Sequence, residues 1–131
     1  MCRQLNMIVG DKNMSWDCAV WHSNIVKNKE DAEILYRKLC DGDTSLLGPT
    51  QRTQDFYEEL TSIHPEIDDI SEEEIDNLDL CPWCVTFDKS EGHIIMSCVS
   101  SKSEYVSTLV RELAEKYELS FYEPQNMIFV L

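Results

Sequence analysis

Two short stretches, PWCVTFD at 82–88 and HIIMSCV at 93–99, flank the turn-prone tetrapeptide KSEG and share one apolar face in a single register. With KSEG as a four-residue loop, Asp88 lies opposite His93, Phe87 opposite Ile94, Val85 opposite Met96 and Trp83 opposite Cys98. Side chains alternate along a strand, so Trp83, Val85, Phe87, Ile94, Met96 and Cys98 fall on one face. Cys84, Thr86, Asp88, His93, Ile95 and Ser97 fall on the other. A hairpin with one apolar face must be covered by another layer. The next segment can supply it: Ser101 and Glu104 form a capping-box signature, and Val106, Leu109, Val110, Leu113, Ala114 and Tyr117 mark one helical face behind them.

The remaining elements follow from the same periodicities. Residues 1–13 carry no clear period and are expected to be an extension of uncertain order, with Met14 the natural start of a single domain spanning 14–131. MSWDCAVWHS at 14–23 reads as a strand in which Trp16, Cys18 and Val20 form an apolar side and Asp17, Ala19 and Trp21 a mixed one. Ala32, Leu35, Tyr36 and Leu39 recur at helical spacing within 29–40, with Asn28 as cap and DGD at 41–43 as the stop. A second helix follows GPT, where Pro49 suits a first turn, Phe56, Leu60 and Ile63 share a face, and Pro65 ends it. The tail reads as two strands around Pro124-Gln125-Asn126. The order βααββαββ predicts an α+β domain, a ferredoxin-like variant with a mainly antiparallel sheet and helices packed on one face.

Charge narrows the function classes. With 25 acidic and 11 basic residues the net charge is −14, which repels nucleic acid and anionic membranes and attracts basic partners. No stretch is apolar for the roughly 18 residues of a membrane span, and MCRQLNMIVGDKN lacks the apolar run of a signal peptide, so a cytoplasmic protein is expected. In that compartment the six cysteines are expected to be reduced thiols.

Cys81-Pro82-Trp83-Cys84 has the spacing of redox dithiols and zinc ribbons. A redox pair sits at a helix N-terminus, whose partial charge lowers a thiol pKa, whereas this pair follows an acidic segment and leads into a strand. A zinc tetrad would need Cys81, Cys84, His93 and Cys98, but the hairpin register sends Cys84 and Cys98 to opposite faces. It also places His93 roughly 13 Å along the strand from Cys84. No metal or cofactor is therefore expected, and a metal- or thiol-dependent protein using Cys81 and Cys84 stays as the alternative. His22, His64 and His93 lie in unrelated contexts, with His64 expected in a surface or capping role before Pro65. With four glycines and no phosphate-cradling pattern, no catalytic constellation is visible, and no enzyme is expected.

The segment EIDDISEEEIDNLD at 66–79 holds eight acidic residues, and no Lys or Arg occurs between Arg52 and Lys89. It lacks the alternating ligands and the glycine of a calcium loop. Ile67, Ile70, Ile75 and Leu78 are expected to pin it as an ordered loop or short helix with a solvated acidic outer side. An ordered row of carboxylates imitates a row of phosphates.

Several stretches together resemble a family of small acidic bacterial proteins, mostly uncharacterised, some placed as immunity proteins beside polymorphic toxins. They are MSWDCAVWHS (14–23), LYRKLCDGD (35–43), DFYEELTSIHPEIDD (55–69), CPWCVTFDKSEGHIIMSC (81–98) and LAEKYELSFYEPQ (113–125). Pro82 and Trp83 match the family's Pro-Trp, while Tyr122-Glu123-Pro124-Gln125 carries Glu where Asp is usual, and Cys84 lies outside the pattern. The resemblance implies neutralisation of a toxin by binding. Joined to the acidic segment, it leads to the expectation of a cognate basic toxin partner, a nuclease above all. The expected contacts are Asp68, Asp69, Glu72, Glu73, Glu74, Asp76 and Asp79, with Trp21, Tyr57 and Ile95 as exposed anchors. A third possibility is a non-enzymatic regulatory module that uses the open face of the sheet.

Overall fold

The computed structural model describes residues 15–131, so the proposed extension 1–13 and a start at Met14 lie outside the described residues. The elements are β1 (Ser15–Trp21), α1 (Lys29–Cys40), α2 (Gln51–Ile63), β2 (Asp88–Lys89), β3 (His93–Val99), α3 (Ser103–Lys116), β4 (Ser120–Glu123) and β5 (Ile128–Val130). Short 3-10 turns occur at Ile67–Asp69 and Ser100–Lys102. The fold is α+β: one five-stranded sheet, ordered β2-β3-β1-β4-β5 and antiparallel throughout, with three helices. β1 and β2 flank β3, and β3 and β4 flank β1. Each helical connection thus skips one strand, as in two interlocked split β-α-β units, and β5 joins the edge through the tail hairpin.

β1 lies centrally because both its faces are apolar enough to bury. Trp16, Cys18 and Val20 join Ile94, Met96 and Cys98 of β3 and Phe121 of β4 in one core, covered by Phe56 and Leu60 of α2 and Val106, Val110 and Leu113 of α3. Ala19 and Trp21 join Ile95 and Tyr122 in a second core, covered by Ala32, Leu35, Tyr36 and Leu39 of α1. Helices therefore cover both faces of the sheet, where one covered face was expected. The side of β1 that reads as mixed carries Trp21, and with Ile95 and Tyr122 beside it that face demands its own helix.

The central hairpin departs from its expected register. Trp83 does lie opposite Cys98, as an isolated bridge, but Asp88 pairs with Ile95 and Lys89 with Ile94. Ser90 N donates to His93 O at 3.0 Å, so the loop is Glu91-Gly92 and not the whole KSEG. The first arm consequently carries two more residues than its partner between these pairs. It bulges over 84–87 and leaves Val85 and Thr86 exposed. A slip of two residues preserves face parity, so Trp83 and Phe87 remain in the core while Val85 does not.

Helix boundaries have local causes. Asn28 Oδ1 accepts from Asp31 N at 2.8 Å to start α1, and Gly42, at φ +88°, turns the chain after it. Thr50 caps α2 by accepting from Arg52 N, so Pro49 precedes the cap instead of occupying the first turn. The Ser101–Glu104 capping box does not form: the 3-10 turn runs directly into α3 with no side-chain cap.

Candidate functional site: a clamped acidic segment

α2 ends at His64, and Pro65 redirects the chain into the acidic segment. His64 is buried and not at the surface, but it does cap α2, its backbone N–H donating to Leu60 O, as the capping half of the expectation had it. Its Nδ1 is 2.8 Å from the carbonyl oxygen of Leu80, an acceptor only, so Nδ1 carries the proton. Nε2, 2.8 Å from the Tyr105 hydroxyl, then accepts from Tyr105. The His64 carbonyl accepts from Trp83 Nε1 at 3.0 Å. One residue thus joins the two ends of the segment to each other, to α3 and to the hairpin.

Glu66 supplies the second tie. Its carboxylate is buried, with Oε1 accepting from Phe87 N at 2.9 Å and Oε2 from the Tyr57 hydroxyl and from Lys89 Nζ at 3.3 Å. Burial works to raise its pKa, but these donors outweigh it and hold the group below its ordinary value as a carboxylate. Taking up Phe87 N–H also explains the bulge, because that donor is spent on Glu66 and not on the ladder. Beyond Glu66, Ile67 and Ile70 pack against the first core, and backbone bonds Glu74 N to Ser71 O (3.0 Å) and Asn77 N to Glu74 O (2.9 Å) fold the tip into successive turns. Asp79 pairs with Lys102 Nζ at 2.5 Å at the far end. Ile75 is half-buried, whereas Leu78, expected as a fourth pin, is exposed.

The eight acidic residues therefore separate into two kinds. Glu66 and Asp79 are tied to intramolecular cations, while Asp68, Asp69, Glu72, Glu73, Glu74 and Asp76 are exposed and enter no ion pair among the described residues. Two of the expected anchors are corrected. Trp21 is 0% exposed and Ile95 4%, both within the second core beneath α1, because the mixed face of the sheet is covered. Tyr57 is half-buried, its hydroxyl donated to Glu66 and its ring edge-on to Phe87, so it braces the clamp. The large apolar groups exposed along the segment and its His64 tie are Ile63, Leu78 and Tyr105.

The Cys81/Cys84 alternative finds little in the geometry. Cys18, Cys81 and Cys98 are buried and Cys84 half-buried, all as free thiols. Burial pushes Cys98 up to about 12, Cys18 well above its ordinary value, and Cys81 and Cys84 upward as well, which opposes formation of a reactive thiolate. Among the described residues, no group of three or more His, Cys, Asp or Glu side chains could hold a metal. No described helix is long and apolar enough to cross a membrane. The regulatory-module alternative needs an open sheet face, and α1 occupies it.

His64, Glu66, Lys89 and Tyr105 are the site residues that sequence reasoning misses. Lys89, the first cation after a long stretch without one, is the single signal that could have pointed to a buried carboxylate nearby. No family model matches the chain, and no curated protein or solved structure matches it.

Proposed function

We propose that the protein is an immunity-type binding protein that neutralises a basic toxin domain, a nuclease above all, in the cytoplasm of the producing cell. The observation that carries this reading is the contrast within the acidic segment. Its ends are fixed by buried hydrogen bonds of His64 and Glu66, while six carboxylates between them stay exposed and unpaired by cations. Fixed carboxylates present a negative potential with little ordering cost on binding, which raises association rates with a cationic partner and competes with phosphate for its active site. In place of Trp21 and Ile95, Tyr105 serves as the apolar contact, held rigid by its bond to His64 with about half its surface open.

The test is inhibition of a panel of purified cationic nuclease domains by the wild-type protein and by a variant with Asp68, Asp69, Glu72, Glu73 and Glu74 changed to Asn or Gln. Stoichiometric inhibition of a panel member, weakened at least tenfold in the variant, is the expected result. An inhibited nuclease that the variant blocks equally well removes the acidic segment from the mechanism.

A further inference from the structure

Arg111 stands out in this strongly acidic chain. Among the described residues every other half-buried Lys or Arg has a carboxylate: Lys38 has Asp43, Arg52 has Glu118 and Lys102 has Asp79. Arg111, also half-buried, has none. Its guanidinium lies 4.9 Å over the Phe121 ring, its Nε is sealed from water without an acceptor, and its terminal N–H groups meet no protein acceptor among the described residues. A partly desolvated guanidinium without a counter-ion is costly, and Arg is the side chain whose planar fork matches a carboxylate. The neighbouring acids do not supply one. Glu118 is committed to Arg52 at 3.2 Å, and Glu115, one helical turn beyond Arg111, is exposed and unpaired with it. Arg ahead of Glu is the weaker order for such a helical pair.

Arg111 opens on a cleft of about 550 Å³ between α3 and the β4–β5 hairpin, lined also by Val130 and Leu131. Val130 stands directly opposite Phe121, which places it on the α3 side of the sheet, yet it is 45% exposed. β5 is an edge of the sheet. Its outer N–H and C=O groups have no strand beside them among the described residues, and Ile128–Val130 carries neither the Lys nor the Pro that blocks many such edges. An open edge, an exposed Val130 and an unpaired guanidinium thus border one groove.

We infer that this groove takes an extended segment of a partner protein, added to β5 as an antiparallel sixth strand, with one Asp or Glu turned onto Arg111. The partner residue opposite Val130 points to the α3 side, so that position carries the acid. Its two neighbours point to the side of Phe129, where the sheet joins the apolar second core, so they are apolar. A ladder on three residues is weak by itself, and the charge-assisted bond to Arg111 supplies the selectivity. One carboxylate fits better than an acidic run, which a net charge of −14 would repel. The groove is independent of the acidic segment's proposed role.

The test is titration of the isotope-labelled full chain with the end-blocked peptide Thr-Val-Glu-Val-Thr, its form with Gln in place of Glu, and a form with every amide N-methylated, read by backbone amide shifts. Saturable shifts concentrated in residues 107–115 and 128–131 are expected, about fivefold weaker in affinity for the Gln peptide and absent for the N-methylated one. Arg111→Gln should erase the preference for Glu over Gln, and Arg111→Lys should restore part of it. The variant neutralised at Asp68, Asp69, Glu72, Glu73 and Glu74 should bind the Glu peptide at least as well as wild type. The peptide comparison on the wild-type chain decides even if Arg111→Gln fails to fold. No saturable binding, equal affinity for the Glu and Gln peptides, or a preference that survives in a folded Arg111→Gln would overturn the assignment. So would acetate reproducing the peptide's effect at Arg111 without shifts in β5, which marks a small-anion contact only, or concentration-dependent shifts of 128–131 in the free protein, which give the edge to a second copy.

Discussion

Replacing Glu66 with Gln isolates the clamp, because the change keeps shape and removes only charge and one acceptor. In the wild type the carboxylate, with its side chain 7% exposed, receives three donors: Phe87 N, the Tyr57 hydroxyl and Lys89 Nζ. Hydrogen bonds to a charged group contribute about 1.5–3 kcal/mol each. The Gln carbonyl can retain Phe87 N, but its amide then faces the hydroxyl and the ammonium. The Lys89 share is discounted because that side chain is 44% exposed and screened by water. One strong interaction and part of another are lost, so Glu66→Gln should cost about 2–3 kcal/mol at pH 7, read by urea denaturation. The pH dependence fixes the sign. Glu66 has a folded pKa below its ordinary 4.5, so between the two values the unfolded chain binds more protons and stability rises with pH. The contribution is complete above about pH 4.5 and is lost as pH falls through the folded value. The wild-type and Glu66→Gln stabilities should therefore converge in acid. A loss under about 0.5 kcal/mol at pH 7, or parallel pH profiles, would refute the clamp.

Gly92→Ala should destabilise by about 1–3 kcal/mol, since the new methyl meets Gly48 O and Leu47 Cβ at 2.5 and 3.1 Å; a thermal melt within error of wild type would contradict that close approach. Burial holds His93 below its ordinary 6.5 despite Asp88, so it stays neutral when folded and its unfolded form takes up the proton; stability should fall as pH drops from 7 toward 5.5. His93→Leu should flatten that slope, and an unchanged slope would assign it elsewhere. In the native protein Cys18, Cys81 and Cys98 should react with a disulfide reagent at pH 7.5 orders of magnitude more slowly than in urea, and rapid labelling of Cys81 would revive the thiol alternative.

The strands and helices were legible where one periodicity dominated. α3 shows its apolar stripe plainly, and the tail hairpin declares itself through Pro124-Gln125-Asn126. The covered second face was harder to read, because Asp17, Ala19 and Trp21 alternate into a side that looks half polar. In the fold Asp17 accepts from the Ser97 hydroxyl and its backbone is paired by Gln125, which lets the acid be buried on the same face of β1 as Trp21. The hairpin slip was invisible for a similar reason. A register displaced by two residues satisfies the same alternation, and what selects it is Glu66 capturing Phe87 N from 21 positions away. In the acidic segment, counting carboxylates located the feature but could not separate Glu66, turned inward, from its exposed neighbours. That distinction depends on where Lys89 and Tyr57 are brought by tertiary structure.

Placement of charge is separated from its amount by comparing three proteins as they bind a nona-arginine peptide by stopped flow over a range of salt. They are the wild type, the variant neutralised at Asp68, Asp69, Glu72, Glu73 and Glu74, and a control of equal net charge neutralised at the exposed Glu30, Asp31, Glu58, Glu112 and Glu115. The control should keep most of the wild-type rate and salt slope, while the segment variant should associate about tenfold more slowly at low salt with a shallower slope. Equal slowing in both variants would mean that overall charge, and not the clamped segment, attracts a cationic partner.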